Sequence, residues 1–145
     1  MNASETVVTD QLLKYGLRCT PFTKQEKLNR KTPDYRVFKG DSFSFFCEVK
    51  EIAEDARQSG LRPDPIFNRL TDDIYAAVKQ FDSVNPAQEY PNVLAFVNND
   101  RMCGSLDLFG VLTGYLLTED GAAPVYLRYS EGRIKDDKNR IHLYM

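Results

Sequence analysis

The sequence predicts an α/β domain with a central mixed sheet flanked by helices. Two short runs of strand-forming residues, 35–38 and 43–49, are joined by a tight turn and should pair antiparallel. An amphipathic helical pattern over 66–81 and a buried apolar run, VLAFV at 93–97, follow. A helix between two such strands is typical of a crossover that sets them parallel in one sheet. At 145 residues, the chain is expected to form one domain, 1–145.

The N-terminal segment predicts a helix of about three turns, with Ser4 as the N-cap and Gly16 just past the C-terminus. One face of it would carry Glu5, Val8, Leu12 and Tyr15. Glu5 is therefore aligned with residues that should point inward. The alternative is that Glu5 is a first-turn acid that interacts favourably with the positive end of the helix dipole.

A short strand is predicted over Leu17–Phe22, and residues 23–32 are expected to form a loop or a distorted strand. In the second strand of the hairpin, alternation puts Ser44, Phe46, Glu48 and Lys50 on one face and Phe43, Phe45, Cys47 and Val49 on the other.

Asp34 opens the partner strand, and its position depends on the hairpin register. A three-residue loop, 40–42, sets Asp34 opposite Glu48. A strict two-residue loop shifts the pairing by one and turns Asp34 to the other face, unless a bulge corrects it.

Residues 51–65 read as an exposed connection, which could be a mobile flap or simply disordered. Asp64 and Pro65 make a favourable N-cap and first residue for the next helix. Its core stripe is predicted to be Ile66, Leu70, Ile74, Ala77/Val78 and Phe81. Lys79 and Gln80 lie off that stripe, where they could reach a ligand or water.

The C-terminal third predicts one helix and two strands. Ser105 could cap a helix that runs to about Leu117, with Leu106, Phe109, Leu112 and Leu116 inward. The two final strands are expected at 125–129 and 141–144.

Charge and cysteine content narrow the class of protein. The net charge is −2 and the pI is about 5.4. A protein that binds nucleic acid mainly through its net charge should be basic, so these values argue mildly against that class. Three cysteines and a single histidine exclude a disulfide framework and the common structural zinc patterns. No apolar run approaches membrane-spanning length, and no signal peptide is recognisable. We therefore expect a cytoplasmic protein without a membrane partner.

The local charge differs from the net charge. Between residues 24 and 39 only two acids, Glu26 and Asp34, oppose the basic residues Lys24, Lys27, Arg30, Lys31, Arg36 and Lys39. On charge alone a solvated loop is the favoured interpretation, and a contact surface for nucleic acid is the alternative.

Two carboxylates on adjacent strands, with a lysine two residues beyond one of them, suit metal-assisted phosphodiester hydrolysis. Asp34 and Glu48 would supply hard oxygen ligands for Mg²⁺, and Lys50 would orient a water or steady the phosphoryl group. A plain salt bridge among these three side chains, which needs no metal, remains the alternative.

Pro33-Asp34, followed after thirteen residues by Glu48-Val49-Lys50, resembles the PD-(D/E)xK nuclease superfamily, whose fold is restriction-endonuclease-like. The context also matches, because the predicted order from Glu5 to Val97 is helix–strand–strand–strand–helix–strand. The resemblance implies an αβββαβ core, here with a C-terminal helix and two strands added.

The resemblance also implies roles for individual residues. Asp34 and Glu48 resemble the metal-binding acids, Lys50 the catalytic lysine and the Val49 carbonyl a further metal ligand, and Glu5 matches a first-helix acid. Lys79-Gln80 resembles a polar position near the site. The Gln-x-x-x-Tyr pattern of one exonuclease branch is absent, because Val84 stands at that spacing.

We therefore expect a Mg²⁺-dependent DNA endonuclease in which Mn²⁺ can substitute, acting on DNA rather than RNA. Nucleic-acid contacts are expected from Lys24, Lys27, Arg30, Lys31, Arg36, Lys79 and Gln80. The alternative is a catalytically inactive binding or regulatory module of the same fold, and the low pI leaves room for a protein partner. A homodimer is also expected, since one site cuts one strand.

Overall fold

A computed structural model of the chain describes residues 1–54, 65–101, 103–116, 125–126 and 136–145. In chain order its elements are α1 (Ala3–Lys14), β1 (Leu17–Pro21), α2 (Lys24–Asn29), β2 (Tyr35–Lys39), β3 (Ser42–Ile52), α3 (Pro65–Val84), β4 (Asn92–Asn98), α4 (Ser105–Thr113), β5 (Tyr115–Leu116), β6 (Val125–Tyr126), a 3₁₀ turn (Lys138–Arg140) and β7 (Leu143–Tyr144).

The main sheet has five strands in the order β1-β2-β3-β4-β7. The pairs β1–β2 and β2–β3 are antiparallel, whereas β3–β4 and β4–β7 are parallel. The predicted α/β class with a mixed sheet is confirmed, and so is the parallel pairing of the second hairpin strand with the VLAFV strand. Strands β5 and β6 form a separate antiparallel pair.

Helices cover both faces of the sheet. On one face α1 packs over a small core that includes Val8, Leu12, Tyr35, Val37, Cys47, Val93 and Ala95. On the other face α3 and α4 cover a larger core that includes Phe46, Ile52, Leu70, Ile74, Phe81, Leu94 and Val111. Each fully buried large apolar side chain contributes roughly 1.5–3 kcal/mol of transfer free energy. The long strands β3 and β4 are therefore held between two apolar layers.

The hairpin combines a two-residue turn with a β-bulge. Lys39 pairs with Ser42, so the loop is Gly40-Asp41, but the register shifts between Val37 and Phe38. The shift leaves Ser44 as the extra residue and restores the pairing of Tyr35 with Cys47. Continuing this register places Asp34 opposite Glu48. The bulge therefore corrects the one-residue shift that a two-residue loop would otherwise cause.

The bulge also moves one aromatic residue to the other face. Phe43 was predicted to lie with Phe45 and Cys47, but it packs against Phe46 on the α3 side, with ring centroids 4.9 Å apart. The prediction for Phe43 was wrong because strict alternation does not continue across an inserted residue. From Phe45 onward the alternation holds.

Helix α1 begins earlier than predicted. Asn2, not Ser4, is the N-cap, and it forms a capping box with Glu5. The buried stripe is Ser4, Val8 and Leu12, whereas Tyr15 is 71% exposed. The predicted inward face is therefore confirmed at Val8 and Leu12 and wrong at Tyr15, because the buried residues follow i, i+4 spacing from Ser4.

Residues 23–32, expected to be a loop or a distorted strand, contain helix α2. Thr23 is its N-cap, and Glu26 completes a capping box. Thr-x-x-Glu is a sequence signal for a helix start, and it explains why so polar and short a segment becomes helical.

Helix α3 begins at Pro65 as predicted, and Leu70, Ile74, Ala77, Val78 and Phe81 are buried as expected. The side chain of Ile66, the N-cap Asp64 and most of the predicted exposed connection (55–64) lie outside the described residues. Strand β3 continues to Ile52, so Glu51 belongs to the strand.

The C-terminal helix differs most from its prediction. Gly104 is the N-cap of α4, and the helix ends at Gly114, in a left-handed conformation. Gly110 and Val111 are buried, whereas Leu106 and Phe109 are 59% and 42% exposed. The predicted inward face is confirmed at Leu112, which packs against the core, and wrong at Leu106 and Phe109, because the buried face is centred on Gly110 and Val111.

The side chain of Leu116 and residues 127–129 of the predicted penultimate strand lie outside the described residues. The final strand is confirmed in shorter form as β7. Among the described helices, none has the length and apolarity needed to cross a membrane.

The turn conformation gives a test of the hairpin. Gly40 has a φ of +61°, and no atom lies within 4 Å of the point that a Cβ would occupy, so only backbone strain opposes a side chain there. Gly40→Ala should lower the free energy of unfolding by about 1–2 kcal/mol, measured by urea denaturation. Asp41→Ala, at the exposed neighbouring turn position, is the matched control. Equal stability of the two variants would contradict this turn geometry.

Candidate functional site

The carboxylate of Asp34 lies against the edge of β3, and Asp34 immediately precedes the first residue of β2. Its Oδ2 accepts a hydrogen bond of 2.9 Å from the backbone N–H of Val49. The β2 ladder ends at the Tyr35–Cys47 pair, so the aspartate takes the position that a strand acceptor would occupy. Since the N–H and C=O of one strand residue point to the same side, the Val49 carbonyl also points toward the Asp34 side of β3.

Glu48 is a buried charge-bearing residue in the middle layer of the protein. It is 2% exposed, and its Oε1 accepts a hydrogen bond of 2.7 Å from Lys50 Nζ. Its other oxygen, Oε2, is buried and has no hydrogen-bond partner among the described residues. A buried oxygen without a hydrogen-bond partner destabilises the folded state. Glu48 Oε2 is therefore the atom of the site that a ligand would stabilise.

The environment raises the pKa of Glu48 to about 7. Burial is the main cause, and the negative charge of Asp34 adds to it, while Lys50 and Gln80 act in the opposite direction. The two acids are therefore close enough to repel each other. A cation between them would relieve both the repulsion and the missing partner of Oε2.

Gln80 connects the site to the neighbouring segment. Its Oε1 accepts from Lys50 Nζ at 3.5 Å, and its Nε2 donates to the Thr32 carbonyl at 3.1 Å. A side-chain contact with Gln80 also lowers the pKa of Glu48, but the contact does not reach hydrogen-bond geometry, and the Gln80 amide donates to Thr32. Helix α3 therefore fixes both the lysine and the chain that leads into Asp34.

Glu5 lines a cavity of about 460 Å³ together with Asp34. Its carboxylate already accepts from the backbone N–H of Asn2 and from the Tyr35 hydroxyl, both at 3.2 Å. Its position at the third residue of α1 also supports the helix-dipole interpretation. The cavity brings Glu5 toward the site, and its hydrogen bonds give it a structural role there.

A second cavity, of about 550 Å³, opens on the Lys50 side of Asp34. Five basic residues line it, namely Lys27, Arg30, Lys31, Lys50 and Lys79. Asp34 and Gln80 also contribute to the wall. The structure therefore brings most of the predicted basic contacts to the cavity that Asp34 lines.

Two of the predicted basic contacts are placed elsewhere. Arg36 forms an ion pair with Glu26, and its guanidinium lies 3.7 Å from the ring centroid of Phe22. Arg36 and Thr23 hold the pKa of Glu26 at about 2, so this arginine serves to fix α2 on the sheet. Lys24 is exposed and lines neither cavity.

The sequence reasoning missed two residues of α3 that face the site. Asp73 is half-buried, and burial raises its pKa while the charges of Lys50 and Arg69 oppose the rise. Tyr75 is 48% exposed and lines the basic cavity. Asp73 precedes Gln80 by seven residues, which is the spacing of one helical face, and that spacing was the available signal.

The donor set fits one hard divalent cation. Two carboxylates and the Val49 carbonyl offer the oxygen ligands that Mg²⁺ prefers, with water completing the octahedron. Within the described ranges, no group of three or more His, Cys, Asp or Glu side chains forms a metal site. A cation here would therefore depend on two acids and keep several waters.

Comparisons with models of known protein families, with curated proteins and with solved structures found no match.

The burial of Glu48 predicts a pH-dependent stability. Its pKa is about 7 in the folded chain against an ordinary 4.5, so folding favours the protonated acid. In the presence of a metal chelator, the contribution of Glu48 to stability should be greatest below pH 4.5 and should be lost as the pH rises through about 7, a fall of about 3 kcal/mol in all.

Urea unfolding measured across that pH range provides the test, with Glu48→Gln as the variant and the exposed Glu89→Gln as its control. Glu48→Gln should remove most of the fall, and Glu89→Gln should leave it unchanged. Parallel pH profiles for wild type and Glu48→Gln would show that Glu48 is not the responsible group.

Proposed function

We propose that this chain is a Mg²⁺-dependent phosphodiesterase of the PD-(D/E)xK type, acting as a DNA endonuclease. The order of α1, β1, β2, β3, α3 and β4 agrees with the αβββαβ core that the sequence motif implies. Among the described residues of that order, the short helix α2 is an addition. The spatial meeting of Asp34, Glu48 and Lys50 supports the same assignment.

The observation that carries the proposal is the buried Oε2 of Glu48, which has no hydrogen-bond partner in the described part of the chain. It belongs to an acid whose pKa is raised first by burial and further by the negative charge of Asp34. Folding alone gains nothing from this arrangement, because a buried unpaired oxygen destabilises the native state. A divalent cation held by both acids would give this oxygen a ligand and would neutralise the repulsion between the two carboxylates.

Asp34, Glu48 and the Val49 carbonyl are the groups that would hold Mg²⁺. When bound, the ion supplies charge neutralisation and lowers the pKa of a coordinated water. The hydrogen bond from the Val49 N–H keeps Asp34 in place at the strand edge. The backbone itself therefore orients the first acid.

Lys50 is positioned to act on the phosphoryl group. Its ammonium lies between Glu48 and Gln80 and lines the basic cavity. An ammonium fixed at that position can stabilise charge that develops on the phosphoryl oxygens. Gln80 would hold the lysine there while Glu48 is engaged with the cation.

The basic cavity favours a polyanionic substrate. Lys27, Arg30, Lys31 and Lys79 share this cavity with Lys50, although the whole chain has a net charge of −2. Phosphate contacts from such a group supply affinity without base specificity. The acidic remainder of the surface would confine the polyanion to this cavity.

One observation favours the alternative of an inactive module of the same fold. Lys50 already forms a 2.7 Å ion pair with Glu48, as a purely structural salt bridge would. In an inactive module the basic cavity would still bind nucleic acid, but the acid pair would bind no metal. Metal binding therefore separates the two functions.

Calorimetric titration with Mg²⁺ or Mn²⁺ is the first test. Wild type should bind one ion, and Asp34→Asn should weaken binding at least tenfold, because one of two acidic ligands loses its charge. Asp41→Asn, in the exposed hairpin turn, is the matched control and should bind as wild type does. Equal affinity of wild type and Asp34→Asn would refute the site.

Single-turnover cleavage of DNA tests Lys50. Lys50→Ala should reduce the cleavage rate about a hundredfold or more, as loss of one electrostatic stabiliser does, with little change in DNA affinity. Lys39→Ala, at an exposed position on β2, is the control and should cleave normally. Weaker binding with intact turnover would make Lys50 only a phosphate contact, and unchanged cleavage by folded Lys50→Ala would refute its catalytic role.

A further inference from the structure

The basic cavity has two walls that are tied together. Arg30 donates a hydrogen bond of 3.2 Å to the Ser83 carbonyl, and Gln80 donates one of 3.1 Å to the Thr32 carbonyl. Both bonds connect the segment around α2 to helix α3. The volume between the walls, about 550 Å³, is that of a small-molecule pocket. Such a space accepts one or two nucleotides.

An aromatic ring lies at this cavity among the cations. Tyr75 lines it with about half of its surface exposed, and Lys79 Nζ lies 4.1 Å from the ring centroid. Cations that contact phosphates, beside an exposed ring that can stack on a base, are the two elements of single-strand recognition. A base can stack on the ring only when it is not paired within a helix.

The two cavities of the site meet at Asp34. Both Asp34 and Lys27 line the cavity on the Glu5 side as well as the basic cavity. A chain that lies in the basic cavity can therefore continue past Asp34 into the other cavity. This continuity fits a polymer better than a free nucleotide, because Asp34 lies at the junction and not at a closed end.

From these observations we infer that the substrate is an unpaired nucleic-acid strand, held by phosphate contacts in the basic cavity and by stacking of one base on Tyr75. The inference rests on the proposed function for the role of Asp34, but binding by the basic cavity does not require metal. Single-stranded DNA and RNA share this chemistry, and the test separates them.

Fluorescence anisotropy of the full chain in EDTA measures strand binding without metal-dependent cleavage. The probes are a labelled single-stranded oligodeoxynucleotide, its duplex with the complementary strand, and the RNA of the same sequence. The single strands should bind more tightly than the duplex, and the better of the two identifies DNA or RNA as the source. This result is independent of the metal titration, so the two proposals can fail separately.

Variants test the role of the ring. Tyr75→Ala should weaken single-strand binding by roughly fivefold to a hundredfold, the effect of losing one base–aromatic stacking contact, and Tyr75→Phe should retain it. Tyr15→Ala removes a tyrosine that is 71% exposed and outside both cavities, and should bind as wild type does. The inference is overturned when duplex binds as tightly as single strand, or when Tyr75→Ala binds no more weakly than Tyr15→Ala.

Discussion

The burial of one carboxylate, that of Glu48, is the constraint on which the site depends. A charged group in the middle layer of a protein is stable only when its oxygens have partners. Lys50 satisfies one oxygen, whereas the other has no partner among the described residues and faces the added charge of Asp34. The apolar packing of β3 between two helical layers therefore maintains an acid in a state that packing alone would not favour.

The sheet topology produces this state. Strand β2 begins at Tyr35, opposite Cys47, while β3 continues beside β4 to Ile52. The edge of β3 is thereby left to Asp34, whose carboxylate accepts the Val49 N–H. The bulge at Ser44 reconciles a two-residue turn with the register that this contact requires. A tight turn, one extra residue and one strand end together place two acids side by side.

Much of this site could be predicted from the sequence because it lies on two regular strands. Alternation along β3 places Glu48 and Lys50 on one face regardless of tertiary context. Two other features do not follow from strand alternation. Helix α2 forms because of a capping box at Thr23. Helix α4 packs with Gly110 buried, which leaves Phe109 exposed. The sequence pattern does not show which helical face approaches the core most closely, so the orientation of α4 and the approach of Tyr75 to the site could not be predicted. For Asp73 the available signal was its seven-residue spacing from Gln80.

The central claim is that Glu48 and Asp34 share a divalent cation, and a crystal soaked with Mn²⁺ tests it most directly. We predict anomalous density between the two carboxylates, with Glu48 Oε2 and the Val49 carbonyl at ligand distance. Crystals of Asp34→Asn treated in the same way should lack that density. A fully soaked wild-type crystal with no density at this position, and with the Lys50–Glu48 ion pair unchanged, would contradict the account.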